Sequence, residues 1–599
     1  MNEKFPLLLL LLLPTAHAQG TGRDDAHLHF ARLSDSGPRG VVTLGFGPTD
    51  YADMAERHEL GSAFRMRAFP LPGQRQVDLV LRPVSVMEPG ARARAVQADG
   101  SETSIDPQVR CFSGYVDGGG PAFLGITRKA VNGYLTVDGE LYFLSPGENP
   151  SGLVSLAHAS QTGGPLEGFC GAENQFLAPE GGRELASVGP VLRTAPVFIE
   201  ADDDYRARFL SDQACVDYTT LLLTAVSEIY RRDIGARLTI PDGFLRVWNT
   251  QPPWGAVTNF SHLSKVYNWW TSTANPNRGL VRASVHLFTH PIFGGTSRGV
   301  GGLCRNDRAY EISSLSGRFP YPVVHAGREN WDLFVVSHEF GHTFGSMHSS
   351  LYTPPIECAD GSGPDSGTIM SYCHLDYGIA NVGMRFHLRE QSKIRGTLSG
   401  PVCLTAQTLT RGDYDADGDV DFDDLAAAEG VASQGFRSLG AEEVFDLDAD
   451  GDYDKVDLDS LTALVNKFPP ASAVARNGSG VNPACFSALN KPVLGQTWRS
   501  QVLADGVGRG TLVLGYADPM SGVFSPYGEL LGRTPAYGGV QLYYHYAPST
   551  GTAALHEIPL ALDPAMIGRT VAMQGVVLGP TASVARLLCN AIDVRFSLY

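Results

Sequence analysis

No stretch of this chain is apolar for long enough to cross a membrane. The early run Pro6–Leu13 falls well short of the roughly 20 residues a spanning helix needs, so no transmembrane anchor is expected. Lys4 ahead of that run and Ala16-His17-Ala18 behind it fit an export signal over residues 1–18, cleaved after Ala18. No cysteine follows the cleavage point, which argues against a lipid anchor. Basic residues are in the minority: 46 Lys and Arg stand against 63 Asp and Glu, a net charge of −17, and no basic patch invites nucleic acid. Cysteine is scarce as well. Nine in 599 residues suit an oxidising compartment, and the odd count leaves at least one unpaired within the chain. These absences describe an exported, soluble protein, long enough for about four domains.

What is present is unevenly distributed. Between Arg411 and Ser460 lie 17 acidic and 3 basic residues, nearly the whole net charge. Two twelve-residue frames recur there, Asp413–Asp424 and Asp446–Asp457. Carboxylates fall at positions 1, 3, 5 and 12, as Asp413, Asp415, Asp417 and Asp424 and again as Asp446, Asp448, Asp450 and Asp457. Asp419 and Asp452 occupy position 7, and Gly418 and Gly451 supply the sharp turn at position 6. Hard oxygen donors at this spacing bind Ca2+, and each frame leads into a short helix, Leu425–Glu429 and Leu458–Val465. The acidity is therefore a local device for calcium.

The most specific stretch is Val336–His348, V-S-H-E-F-G-H-T-F-G-S-M-H. Positions i and i+4 share a helix face, so His338 and His342 can offer two imidazoles to one metal ion. Gly345, just past the helix, can adopt positive φ and turn the chain back so that His348 adds a third nitrogen. Three protein ligands leave a tetrahedral position for water, the mark of a catalytic zinc site. Glu339 stands beside the site without being needed as a ligand, placed to act as general base. The helix should begin near Asp332.

This motif, with Gly367-Thr-Ile-Met-Ser-Tyr-Cys373 a loop later, resembles the metzincin zinc peptidases and their Met-turn. The resemblance implies Met370 as an apolar floor beneath the histidines. Tyr372 matches the astacin and serralysin pattern, in which a tyrosine ligates zinc at rest and assists the transition state. Other marks resemble the adamalysin (reprolysin) group, although Ser349 stands where adamalysins have Asp. By the same resemblance Gly299–Cys304 would be the upper edge strand of the cleft, and Cys304–Cys403 and Cys358–Cys373 would be disulfides. Residues 19–194 read as a β-rich propeptide with alternating runs at Gln76–Leu81 and Gly133–Phe143. Cys170, in G-F-C-G-A-E-N, resembles the cysteine switch that closes such propeptides by placing a thiolate on the metal. The alternative left open is that Cys170 pairs with Cys111 or Cys215.

The strand and helix alternation from Ala195 predicts an α/β catalytic domain over 195–405. The acidic repeat over 408–468 resembles a type I dockerin, a small α module of EF-hand kind, and a cohesin-like or cell-surface partner is left open. Residues 469–484 read as a linker and 485–599 as an accessory β-sandwich, with Cys485 and Cys589 paired. The expected protein is a monomeric, secreted bacterial zinc endopeptidase made as a zymogen, binding Zn2+ and Ca2+ and acting on proteins or peptides. The rival is a calcium-dependent adhesion or docking protein with an inactive or inhibited peptidase domain.

Overall fold

The computed structural model describes residues 25–26, 31–145, 153–161, 170 and 190–597 apart from short stretches, the longest at 318–331, 359–366, 434–440, 505–509 and 580–584. The export signal expected over residues 1–18 falls outside the described residues, as do Asp417, Asp419, Asp450 and Gly451.

Among the described residues the N-terminal domain is a ten-stranded sheet with one α-helix, Pro48–Leu60. Its central strands, from Arg110–Val116 to Glu140–Ser145, are apolar on both faces, so neighbouring residues serve different cores. Leu124, Leu135, Leu144 and Leu156 pack inside the domain with Val42, Leu44, Leu79 and Leu81. Cys111, Phe123, Tyr134 and Phe143 instead join the core around the catalytic domain's long helix, Asp212–Ile234. The run Gly133–Phe143 is a hairpin, Val131–Val137 against Glu140–Ser145, turned at Asp138-Gly139 with positive φ at both residues. That is the two-residue turn whose twist suits a hairpin.

The catalytic sheet has parallel strands Tyr310–Ser314, Ser284–Thr289, Val191–Ala201 and Leu245–Trp248, with Gly295–Ser297 antiparallel at one edge. The other edge is completed by a hairpin of the N-terminal domain. Ala93–Val96 pairs in parallel with Arg246–Trp248, and Glu102–Ile105 folds back on it. The boundary expected at 194 is thus crossed by backbone hydrogen bonds, and strand Val191–Ala201 begins three residues before it. The strand expected at Gly299–Cys304 is a correction. Those residues are turns, with Gly301 and Cys304 at positive φ, and the edge strand precedes them at Gly295–Ser297.

Two helices, Phe422–Ser433 and Lys455–Lys467, follow the acidic loops and pack on each other. The expected linker is a second correction. Ser472–Arg476 is a strand paired with Ala591–Arg595, so the C-terminal domain starts there. That domain sets a five-stranded sheet against a three-stranded one around Trp498, and Cys485–Cys589 ties them. Cys304–Cys403 and Cys358–Cys373 are also formed, leaving Cys111, Cys170 and Cys215 outside any disulfide. Among the described residues no helix is long and apolar enough to cross a membrane.

One buried acid gives the catalytic core a pH signature. Glu311, on Tyr310–Ser314, is fully buried; burial pushes its carboxyl up to about 8, with the hydroxyls of Thr343 and Ser284 pulling the other way. The folded pKa lies above the unfolded one, so the fold holds a proton that the unfolded chain releases. Stability from this group is intact below about pH 4.5 and declines as pH rises towards 8. Glu311→Gln should therefore stabilise the domain at pH 7 by on the order of 3 kcal/mol and flatten the slope between those limits. Thermal melting across that range checks it, and an unchanged slope would show that Glu311 titrates normally.

Candidate active site

The active-site helix is Asp332–Phe344, buried on every side. Its first residue is anchored: the Asp332 carboxylate accepts from Tyr218 Oη at 2.7 Å, Ser316 N at 2.8 Å and Gly317 N at 2.9 Å. From the long helix, Tyr230 Oη donates to the Ser337 carbonyl at 2.7 Å. The last turn ends in the pattern Gly345 predicts. Gly345 N donates to His342 O at 2.9 Å and Ser346 N to Gly341 O at 2.8 Å, the paired bonds of a Schellman motif. Gly345 has φ +114°, and a Cβ there would lie 2.2 Å from Thr397 Oγ1, so both backbone sign and close packing require glycine.

This turn delivers His348 to the other two histidines. His342 Nε2 and His348 Nε2 are 3.1 Å apart. One ligand atom from each of His338, His342, His348 and Cys170 lies within 4.8 Å of all the others. Two rings are oriented from behind: His338 Nδ1 is 2.7 Å from the Ile369 carbonyl and His342 Nδ1 is 2.9 Å from that of Ser346. Those carbonyls select the tautomer that turns Nε2 into the site. Burial lowers the pKa of all three imidazoles, His342 to about 4 and His348 to about 3, so they are neutral at pH 7 with lone pairs available. Three neutral imidazoles and a thiol make a borderline-soft set of four donors, which fits zinc.

The turn carrying Met370 packs against this helix. A Cβ on Gly341 would come within 2.4 Å of Met370 Sδ, so the glycine between the two helical histidines makes room for the sulfur. Met370 O accepts from Ser349 N at 3.0 Å. Tyr372 Oη stands 3.0 Å from His348 Nε2, at the rim. Glu339 is fully buried with its carboxylate against Gly295 of the edge strand, where a Cβ would lie 2.5 Å from Oε1. Burial pushes that carboxyl well above its usual range, and the Cys170 thiol beside it pulls it back. Cys170 Sγ is 3.6 Å from His342 Nε2, and its backbone bridges in parallel to Gly295.

Sequence reasoning missed Gly341, Gly295 and Glu390. Glu390, on helix Leu388–Leu398, accepts from Ser349 Oγ at 2.5 Å and Thr368 Oγ1 at 3.2 Å, tying the segment after His348 to the segment before Met370. His387-x-x-Glu390 is a capping-box spacing that could have drawn attention to it.

In the acidic repeat, Asp413, Asp415 and Asp424 converge within 4.8 Å, as do Asp446, Asp448 and Asp457. Asp452 groups with Asp454 and Asp457 instead of with Asp446 and Asp448. Each position-12 carboxylate organises its loop: Asp424 accepts from Tyr414 N at 2.6 Å and Asp421 N at 2.8 Å, and Asp457 from Leu447 N at 2.7 Å and Asp454 N at 2.9 Å.

Residues 191–386, roughly a third of the chain, match the family model Reprolysin_5, described as Metallo-peptidase family M12. That family implies zinc and a peptide or protein substrate. No curated protein matches in sequence. Among solved structures, metalloproteinase-II from Bacteroides fragilis is similar at 10% identity and a TM-score of 0.34, over 59% of this chain and 96% of that one. OgpA from Akkermansia muciniphila is similar at 10% identity and a TM-score of 0.20, over 67% and 93%. Likenesses this slight bear on neither fold nor chemistry.

Proposed function

We propose that this chain, a metallopeptidase over residues 191–386, is a secreted metzincin endopeptidase made as a zymogen, with Glu339 as general base. The observation that carries the reading is the convergence of His338, His342 and His348 around one point, with Glu339 buried beside it. Zinc held by the three imidazoles supplies Lewis acidity, acidifying water, polarising a carbonyl and favouring the Glu339 carboxylate. An extended peptide pairs along the edge strand Gly295–Ser297, its backbone supplying affinity with little demand on sequence. Glu339 takes the proton of the attacking water and passes it to the leaving amine. Tyr372, at the rim, donates its hydroxyl to the oxyanion as it forms. Cys170 bridges to Gly295 of that edge and its thiol lies at the same point, so substrate and Cys170 exclude one another. In this reading the acidic repeat is a dockerin-like calcium module.

Purified protein, processed between Phe169 and Pro196, should hydrolyse casein, lose that activity to a zinc chelator and regain it with zinc. N-terminal sequencing of the active form locates the cut. No hydrolysis under any processing would favour the adhesion reading, against which the complete ligand set and base argue.

A further inference from the structure

The calcium module does not hang from the catalytic domain; it is wedged into the seam between that domain and the N-terminal one. Tyr414, second residue of the first acidic loop, is buried there. Its hydroxyl lies 3.2 Å from that of Tyr115 on the N-terminal strand Arg110–Val116. Its carbonyl accepts from Arg231 Nη1 on the catalytic helix Asp212–Ile234, and the Arg231 guanidinium sits 4.0 Å from its ring centroid. Arg231 stands beside Glu228, which pairs with Arg82 of the N-terminal domain at 2.9 Å. One tyrosine from a calcium loop thus contacts both halves of the seam. The following helix, Phe422–Ser433, is moulded to it. A Cβ on Gly430 would lie 2.0 Å from Tyr115 Cδ1, so only glycine permits that approach.

The position of Tyr414 depends on the loop's carboxylates. Asp424 holds its N–H at 2.6 Å, and Asp424 shares its cluster with Asp413 and Asp415. Three carboxylates so close repel one another unless a cation lies among them. The second loop is joined to the first: Gly412 N donates to Val444 O at 2.6 Å, and Phe445 stacks on Tyr414 at 5.1 Å. In that second cluster Asp446 is more than nine-tenths buried, Arg411 lies 2.9 Å from its Oδ2, and its Oδ1 has no hydrogen-bond partner. A buried anionic oxygen without a donor calls for a cation.

We propose that the calcium module is a clasp: with calcium in its loops, Tyr414 locks the N-terminal domain onto helix Asp212–Ile234, and without calcium that seam loosens. The interaction surface is the Tyr115–Tyr414–Arg231 cluster, and the partner is this chain's own N-terminal domain. The proposal rests on the calcium reading of the acidic repeat. It makes calcium a control on how firmly the N-terminal domain is held against helix Asp212–Ile234, in addition to any local stabilising role.

Hydrogen–deuterium exchange of the full chain tests it, with calcium titrated into calcium-free protein and zinc content held constant. Calcium should slow exchange about ten-fold or more in Arg110–Val116 and in the last turns of Asp212–Ile234, as well as in the loops. Tyr414→Phe, which removes only the hydroxyl contact with Tyr115, should take up calcium and show a smaller effect in Arg110–Val116. Tyr414→Ala should take up calcium and lose the remote effect. Protection confined to 413–424 and 446–457 overturns the clasp and leaves calcium binding standing, as does remote protection that persists in Tyr414→Ala. A chain that takes up no calcium overturns both.

Discussion

Glu339→Gln should lower casein hydrolysis by the processed enzyme about 10²- to 10⁴-fold, the range for loss of a positioned general base. Zinc content should stay unchanged, because the ligand nitrogens belong to His338, His342 and His348. Gln is nearly isosteric, so the contact with Gly295 survives and the fold around a fully buried side chain is preserved. What is lost is the capacity to take a proton. The decrease should fall on kcat with little change in KM, since Glu339 acts on water and leaving group more than on substrate binding. Full activity with zinc in place would remove Glu339 from the mechanism. Loss of zinc along with activity would make it a structural support of the ligands.

Cys170→Ala acts in the opposite direction and on the unprocessed chain. The thiol lies 3.6 Å from His342 Nε2, in the group of four donors. A tethered ligand competes at high effective concentration, so its removal should raise the activity of full-length protein on the order of 10²-fold or more. Enzyme cut beyond Cys170 and freed of the N-terminal fragment should be unaffected, because the thiol is gone. A full-length variant that remains silent would show that the N-terminal domain blocks the cleft by bulk and not by sulfur. Cys111 and Cys215 provide the control: both are buried thiols whose pKa burial raises, Cys111 to about 12, and their replacement should not relieve latency.

Much of the candidate site was legible because its geometry is local. His338 and His342 share a face by helical period alone, and Gly345 announces the reversal to His348 through the one backbone conformation glycine favours. The repeated Asp frames were readable for the same reason, whereas Gly133–Phe143, read as one alternating run, is a hairpin turned at Asp138-Gly139. The edge strand was displaced by a few residues, since Gly295–Ser297 finds a strand to pair with at Glu311–Ser313 while Gly299–Cys304 turns at positive φ. Ser472–Arg476 looked like a linker until Ala591–Arg595 supplied its partner, over a hundred residues away. Nothing in the order of residues shows that Ala93–Val96 completes the catalytic sheet or that Tyr414 meets Tyr115.

The sequence by itself determined the chemistry available: three imidazoles and a carboxylate that one helix and its turn could assemble, with a tyrosine and a thiol elsewhere along the chain. Tertiary structure alone decided that Cys170 reaches the three histidines, that Met370 fits under Gly341, and that the acidic repeat sits between two domains. The physical reason is the range of the forces involved. Helical period and turn conformation act within a few residues, while strand pairing and core packing join segments whose separation along the chain carries no record of their contact.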